Sequence, residues 1–401
     1  MTIPRFIQIH FLASWPGALL NRDDAGLAKR LPFGEAVRTR VSSQCLKRHW
    51  RTGGDALMPH PRALHTLGAE NGSTRSKESI ERLVFNPIRD GHPKDVLDAI
   101  ETMFIEKVYG AKAGDKDSRQ VLLLGYPEIE YLKENAIRIA NESDDAKVAA
   151  GKAAAWFKEG DGKANLKQLS EQNGFSAGLE AALFGRMITS DPRANTDAAI
   201  HVAHAFTVHE EQPELDYFTV VDDLKSKAAG DDAGSAGIFD TELTSGLYYG
   251  YVVVDVPLLV SNLTGCSRRD WAGDHDRALA GQAIENLVHL IADMSPGAKK
   301  GSTAPYSRAE LLLVEAGDRQ PRTLANAFRR PISLVGNNEI GARASAAIAA
   351  EMTDIDRMYG ENEVRKHAAR TNLTIDDIDD VNVPTLATWA GDLVRHADTA
   401  F

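Results

Sequence analysis

Residues 36–54, AVRTRVSSQCLKRHWRTGG, carry five Lys/Arg (Arg38, Arg40, Lys47, Arg48 and Arg51) and no acidic residue. Ser42, Ser43 and Gln44 stand where a helix would begin. A helix N-terminus offers N–H groups and the positive end of its dipole, so serines there and basic residues in the next two turns suit phosphate. The same residues also describe a capped helix with a solvated basic face. Asn21-Arg22-Asp23-Asp24 places two adjacent carboxylates in a polar stretch, a pair that could hold Mg²⁺ or act on a ribose hydroxyl. Asp-Asp is more commonly a turn and capping element, and no third carboxylate at a recognisable spacing completes a metal site. His201, His204 and His209 fall on one predicted helix, but without cysteine or an HExxH pattern packing is the better reading. Met187, in the motif GRM, is either core filler or an unbranched wedge between stacked bases. PGAKKGSTAPY is basic yet lacks the GxxxxGK[ST] phosphate loop, and neither GxSxG nor a strand-borne GxGxxG occurs. No catalytic constellation, metal site or cofactor motif emerges.

The elements that would position these residues follow from periodicity. RFIQIHFLA alternates, with Phe6, Gln8, His10 and Leu12 on one face and Ile7, Ile9 and Phe11 on the other, which predicts a strand. A long irregular connection through Pro16, Gly17, Pro32 and Gly34 leads to an extended VRTRVSS. A helix follows, capped at Ser42 or Ser43 and stopped by Gly53-Gly54. On it Cys45, Leu46 and Trp50 face inward. Residues 57–180 form a mostly helical insertion with stretches such as KDVLDAIETMFIEKVYG and NLKQLSEQNGF. TDAAIHVAHAFTVHE is predicted as a buried helix. Residues 207–246 hold ten acidic residues and two lysines, which suggests a protruding loop or arm. GLYYGYVVVDV and AELLLVEAG predict strands on either side of the helix RALAGQAIENLVHLIADM. Residues 331–401 are acidic and helix-forming, ending in a helix over DIDDVNVPTLATWAGDLV. The order fits a split α+β core with two excursions: a core of 1–56, 181–206 and 247–330, insertions at 57–180 and 207–246, and a helical extension at 331–401.

At 401 residues, 43% apolar and 26% charged, the chain is neither fibrous nor disordered. No apolar run reaches the roughly 18 residues needed to span a bilayer, so no membrane partner is expected. The N-terminus lacks the pattern of a secretory signal, and two cysteines, Cys45 and Cys266, are too few for a disulfide framework or zinc cluster. A cytoplasmic location is the expectation. The net charge of −11 would discourage a nucleic-acid partner, but it is unevenly distributed. Residues 1–60 hold nine Lys/Arg against four Asp/Glu, and residues 296–330 hold seven against three. Two basic blocks that met in the fold would make a local anion groove in an otherwise acidic protein.

Taken in order, LNRDD, VRTRVSSQCLKR, GRMITS, AIHVAHAFTVH, DYFTVVDDL, SGLYYGY, PGAK and LANAF resemble the backbone subunit of the type I-E CRISPR Cascade complex, the CasC family. The resemblance spans roughly residues 3–330. It implies an RRM-like, ferredoxin-like palm with a helical fingers insertion (57–180) and a protruding thumb (207–246). Several copies would polymerise along the spacer of a CRISPR RNA, and each thumb would kink the RNA and touch the next copy. The guide would then pair with target DNA, leaving sequence to be read by base pairing and backbone shape by protein. Partners would be the RNA, target DNA through the guide, further copies, the large, small, RNA-capping and RNA-processing subunits, and a separate effector nuclease.

By motif position the resemblance implies RNA contacts from Asn21, Arg22, Lys29, Arg40, Ser42, Ser43, Gln44, Lys47, Arg48, Arg51 and Lys299, with Met187 as base wedge. Where the family has a further basic residue this chain has Ala36, and Arg38 could supply the missing contact. The thumb's acidity argues against a phosphate clamp, so it would separate bases through Phe218, Val220 and Val221 and dock on a basic surface of its neighbour. Two alternatives remain at this stage. One is a type III-like subunit that cuts target RNA with a loop aspartate, Asp23 or Asp24. The other is a general single-stranded RNA binder.

Overall fold

The computed structural model describes residues 3–18, 21–54, 59–67, 72–110, 113–158, 178–187, 195–221, 235–297, 300–335 and 339–396. In chain order the first part comprises β1 (Phe6–Ala18), β2 (Arg30–Phe33), β3 (Ala36–Val41), α1 (Ser43–Thr52), β4 (Ser73–Ser76), α2 (Lys94–Tyr109), β5 (Leu122–Gly125), α3 (Tyr126–Asn141) and α4 (Ala146–Lys158). There follow α5 (Leu179–Phe184), β6 (Ile200–Val202), β7 (Ala205–Thr207), β8 (Pro213–Val221), β9 (Ser235–Asp255), α6 (Val256–Thr264) and α7 (Ala278–Asp293). The chain closes with β10 (Ala309–Gly317), α8 (Ile340–Tyr359), β11 (Val364–Ala369), β12 (Asp379–Asp380) and α9 (Val383–Arg395).

The α+β palm is built on one sheet in the order β12-β11-β10-β1-β9-β7-β3-β2, with β6 and β8 also pairing on β9. All pairings are antiparallel except β11 with β12. The alternation read in β1 sorts its side chains as expected. Ile7, Ile9 and Phe11 enter the core under α1, α6, α7 and α9, and Leu12 enters a second core under α8. Gly250 sits opposite Phe11, and a Cβ there would lie 2.0 Å from the ring, so the central strand pair needs glycine at that point. A separate apolar core, confined to residues 80–157, joins α2, α3 and α4 around the stacked Phe104 and Trp156.

Three expectations change. Residues 196–210 are not a helix: β6 pairs with Val252–Val254 and β7 with Tyr248–Tyr249, because hydrogen bonding to β9 overrides the helix propensity of the alanines. The acidic arm is a hairpin, in which Pro213–Val221 runs antiparallel to Ser235–Thr244. The C-terminal extension is not purely helical, since β11 pairs along β10 from Leu311↔Ala369 to Ala316↔Val364 and widens the palm sheet. The predicted stretch NLKQLSEQNGF lies outside the described residues. Among those residues no helix is long and apolar enough to cross a membrane.

Candidate nucleic-acid interface

Helix α1 forms where the sequence places it. Leu46 and Trp50 recur one turn apart on its buried face, Ser42 caps it by accepting from the Cys45 N–H, and Gly53 ends it with φ +63°. The cap is itself held, because the Ser42 N–H donates to Asn21 Oδ1 at 3.0 Å and the Ser43 N–H to His204 Nδ1 at 3.0 Å. Two first-turn amides are thus satisfied within the protein, so less of the helix terminus is open to an anion than free N–H groups would give. Gln44 and Arg48 remain exposed and Ser43 and Lys47 half-buried.

Charge converges around this start. Burial pushes the Cys45 thiol up to about 11, while Arg48 and Lys29 both pull it the other way, which places both cations near it. Burial also lowers the His204 imidazole, and Arg40 and Lys29 add to that effect. Lys29 is set by its own N–H donating to Asn21 O at 3.0 Å, and Arg40 by its Nε donating to Arg30 O at 3.2 Å. The structure therefore gathers Asn21, Lys29, Arg40, Ser42, Ser43 and Arg48 around one helix terminus, with His204 among them.

Further along α1 the partners differ. Burial depresses the Lys47 ammonium, which lies 5.8 Å from the centroid of the Phe184 ring at the end of α5. Arg51 pairs with Glu180 on the same helix at 2.7 Å. Arg22 and Asp24 are exposed. Asp23 Oδ1 accepts the Ala25 and Leu27 N–H groups, each at 2.9 Å, so this carboxylate organises its own turn.

Arg38 departs from expectation. Its side chain is 0% exposed, with Nη1 donating to Thr207 O at 2.9 Å and Nη2 to Phe328 O at 2.7 Å. A guanidinium committed to two buried carbonyls cannot also meet a phosphate, and Arg38 is a cross-link between β3, β7 and the turn at Ala325–Phe328. The helix-borne histidine cluster also dissolves. His201 is exposed on β6, His204 caps α1, and buried His209 accepts the Leu247 N–H at 3.2 Å. Among the described residues no three His, Cys, Asp or Glu side chains converge as a metal site would require.

Met187 follows α5 and is 69% exposed, which excludes core filler. Lys299 lies outside the described residues. Phe218, Val220 and Val221 lie on β8, where Phe218 is paired with Phe239 and the register shifts between Thr219 and Val221. Their side chains lie outside the described residues. The base of this hairpin is pinned to β2 and the loop before it, since Arg30 pairs with Glu211 and Glu242 and the Ala28 N–H donates to Glu242 at 2.7 Å.

The two basic blocks do meet. Gly297 N–H donates to His49 Nε2 at 3.3 Å and Lys300 Nζ to Gly54 O at 2.8 Å, which brings both residues against α1 and its end. Their charge is nevertheless smaller than composition suggests, because Arg30, Arg38, Arg51 and Arg322 are engaged within the protein. The site is a surface rather than a cavity. The pockets of about 640 and 1040 Å³ lie beside α8 and β11, and one of about 450 Å³ lies at the far end of α1 beside Thr52 and Glu180, away from the capped start. Sequence reasoning missed Glu128, Glu180, Phe184 and Arg186, which hold these surfaces in place, and the structural use of His204. A lone acid or aromatic in a distant segment carries no local signal of that role.

Comparison with known proteins adds the following. A chain in a solved structure described as "CRISPR RNA-guided surveillance complex, pre-nicking" superposes with a TM-score of 0.72 at 23% identity, covering 96% of this chain and 100% of that one. A chain in another, described as "CRISPR RNA-guided surveillance complex", gives 0.64 at 22% identity, covering 96% and 99%. At these identities the likeness is one of fold. A comparison with curated proteins returns no match. Residues 7–389 match the family model for CT1975-like protein, so the chain belongs to the CT1975-like family of Cas proteins.

Proposed function

We propose that this protein is the non-catalytic backbone subunit of a type I-E Cascade complex, several copies of which line the spacer of a CRISPR RNA and present it in kinked segments for pairing with target DNA. The observation that carries the reading is the terminus of α1, where Lys29, Arg40 and Arg48 surround a capped helix start whose first turn holds no acidic residue. Such a surface suits a sugar-phosphate backbone read without regard to sequence. Family membership and the shared fold support it. The engagement of Asp23 in its own turn supports a scaffold over an RNA-cutting subunit.

In this role the protein works in the cytoplasm with the other Cascade subunits, and DNA cleavage belongs to a separate nuclease. The acidic hairpin reaches a neighbouring copy, and Met187 and the hairpin residues Phe218, Val220 and Val221 separate bases. Lys299 adds a further phosphate contact. The test is a salt titration of RNA binding. Each phosphate contact contributes about 0.7 to the slope of log affinity against log salt for a single strand. Arg48→Ala and Lys47→Ala should each flatten the slope by about that amount with the fold intact. Unchanged slopes in both would remove α1 from the interface.

A further inference from the structure

Met187 follows a segment that is held from several sides. Arg186, its predecessor, exchanges two backbone hydrogen bonds with Thr196, each 2.9 Å. The Arg186 side chain enters the fingers, where Nη1 donates to both carboxylate oxygens of Glu128, at 2.8 and 2.6 Å. The two side chains are 2% and 1% exposed. Glu128 also accepts the Gly125 N–H at 2.9 Å and so closes the start of α3. Gly185, just before Arg186, has φ +79°, and a Cβ there would lie 3.0 Å from Ala198 N. Asn262 Nδ2 donates to Ala182 O and Asp197 O, tying together the two described segments that flank residues 188–194.

Burying two charges is costly, and an apolar contact would join palm to fingers without that penalty. What a guanidinium–carboxylate pair adds is direction, because it fixes angle and register as well as distance. The residue next to it carries a large apolar side chain that the fold leaves in solvent. We infer that the Arg186–Glu128 pair is the positioning element of the Met187 wedge, holding it in the free protein at the place where RNA will meet it and locking its height to the fingers. Arg186 and Glu128 are positioning residues that act through Met187, so the inference rests on the reading of Met187 as a base wedge.

The test uses complexes assembled on guide RNA carrying 2-aminopurine at successive spacer positions, whose fluorescence rises where bases unstack. Met187→Ala should abolish the rise at the positions facing the wedge. Glu128→Gln and Arg186→Lys should each reduce it at least twofold while leaving the salt slope of RNA binding, which α1 sets, as in the wild type. If Met187→Ala leaves the signal unchanged, the wedge reading fails and the inference goes with it. If Met187→Ala abolishes the signal but both pair variants keep it, the wedge stands and the positioning role is overturned. Should either pair variant fail to fold, hydrogen exchange on the wild type decides. The Arg186 and Thr196 amides should be equally protected with and without RNA, whereas protection arising only with RNA would overturn a preformed wedge.

Discussion

Arg38 and Arg48 come from the same acid-free stretch and read alike as letters, yet their surroundings give them opposite work. Arg48 stays exposed on α1. Arg38 is covered by a turn from nearly 300 residues further along the chain, whose Phe328 carbonyl it satisfies. Nothing local to VRTRV announces that cover, which is why a charge count places Arg38 on the RNA surface. Truncating it would strand two buried carbonyls and leave a cavity, each costing on the order of 1–3 kcal/mol. Arg38→Ala should therefore lower stability by at least about 3 kcal/mol in urea unfolding while the salt slope of RNA binding stays unchanged. A stable variant with a flatter slope would return Arg38 to the interface. Of the two roles read for Ser42, the cap is formed, its hydroxyl accepting the Cys45 N–H.

At the scale of elements, legibility followed how local the determining interactions are. Helix α1 carries its cap, its buried face and its glycine stop within about a dozen residues, so its limits could be read directly. Strand β1 was readable from its alternation. The segment from Ile200 to Thr207 was not, because its two short strands exist through pairing with β9 about fifty residues later, while its alanines favour helix locally. The acidic arm showed as a change in composition, but its hairpin register is set across the chain by Pro213↔Thr244 and the pairs beyond it. Its base is fixed through Glu242 to Arg30 and to the Ala28 N–H, close in sequence to the cationic start of α1. Deleting residues 212–240 should leave a single copy binding short RNA within about threefold of the wild type yet abolish multi-copy assembly in sedimentation velocity. Normal assembly after deletion would favour a general single-stranded RNA binder.

At the scale of the molecule, the sheet carries the cationic surface near α1 and a buried polar network on its other face. There His10 donates from Nε2 to Glu315 and accepts the Tyr249 hydroxyl at Nδ1, each at 2.9 Å. Arg322 and Arg365 hold the same carboxylate. Burial keeps His10 below its ordinary value of 6.5 despite Glu315 beside it. Burial pushes Glu315 up, but hydrogen bonds from Arg322 and His10 outweigh it and hold the carboxyl well below its ordinary 4.5. In acid both groups bind protons more readily in the unfolded chain, so stability falls with pH. His10 starts the loss below about pH 6.5, and Glu315 continues it below about pH 4.5, toward its depressed native value. The melting temperature should be level above pH 7 and decline steadily from pH 6.5 to 4, and a flat or rising profile there would contradict the network. The basic blocks meet, but several of their arginines are engaged internally, and what they leave exposed is a narrower cationic surface within an acidic protein.

The central claim is that copies of this chain line a CRISPR RNA. Its most direct measurement is to express the protein with its neighbouring genes, purify the assembly, and determine the bound RNA and the number of copies on it. The account predicts one RNA of defined length that contains a spacer, with several copies of the chain on each molecule. A single copy per RNA, heterogeneous RNA, or no RNA at all would contradict it.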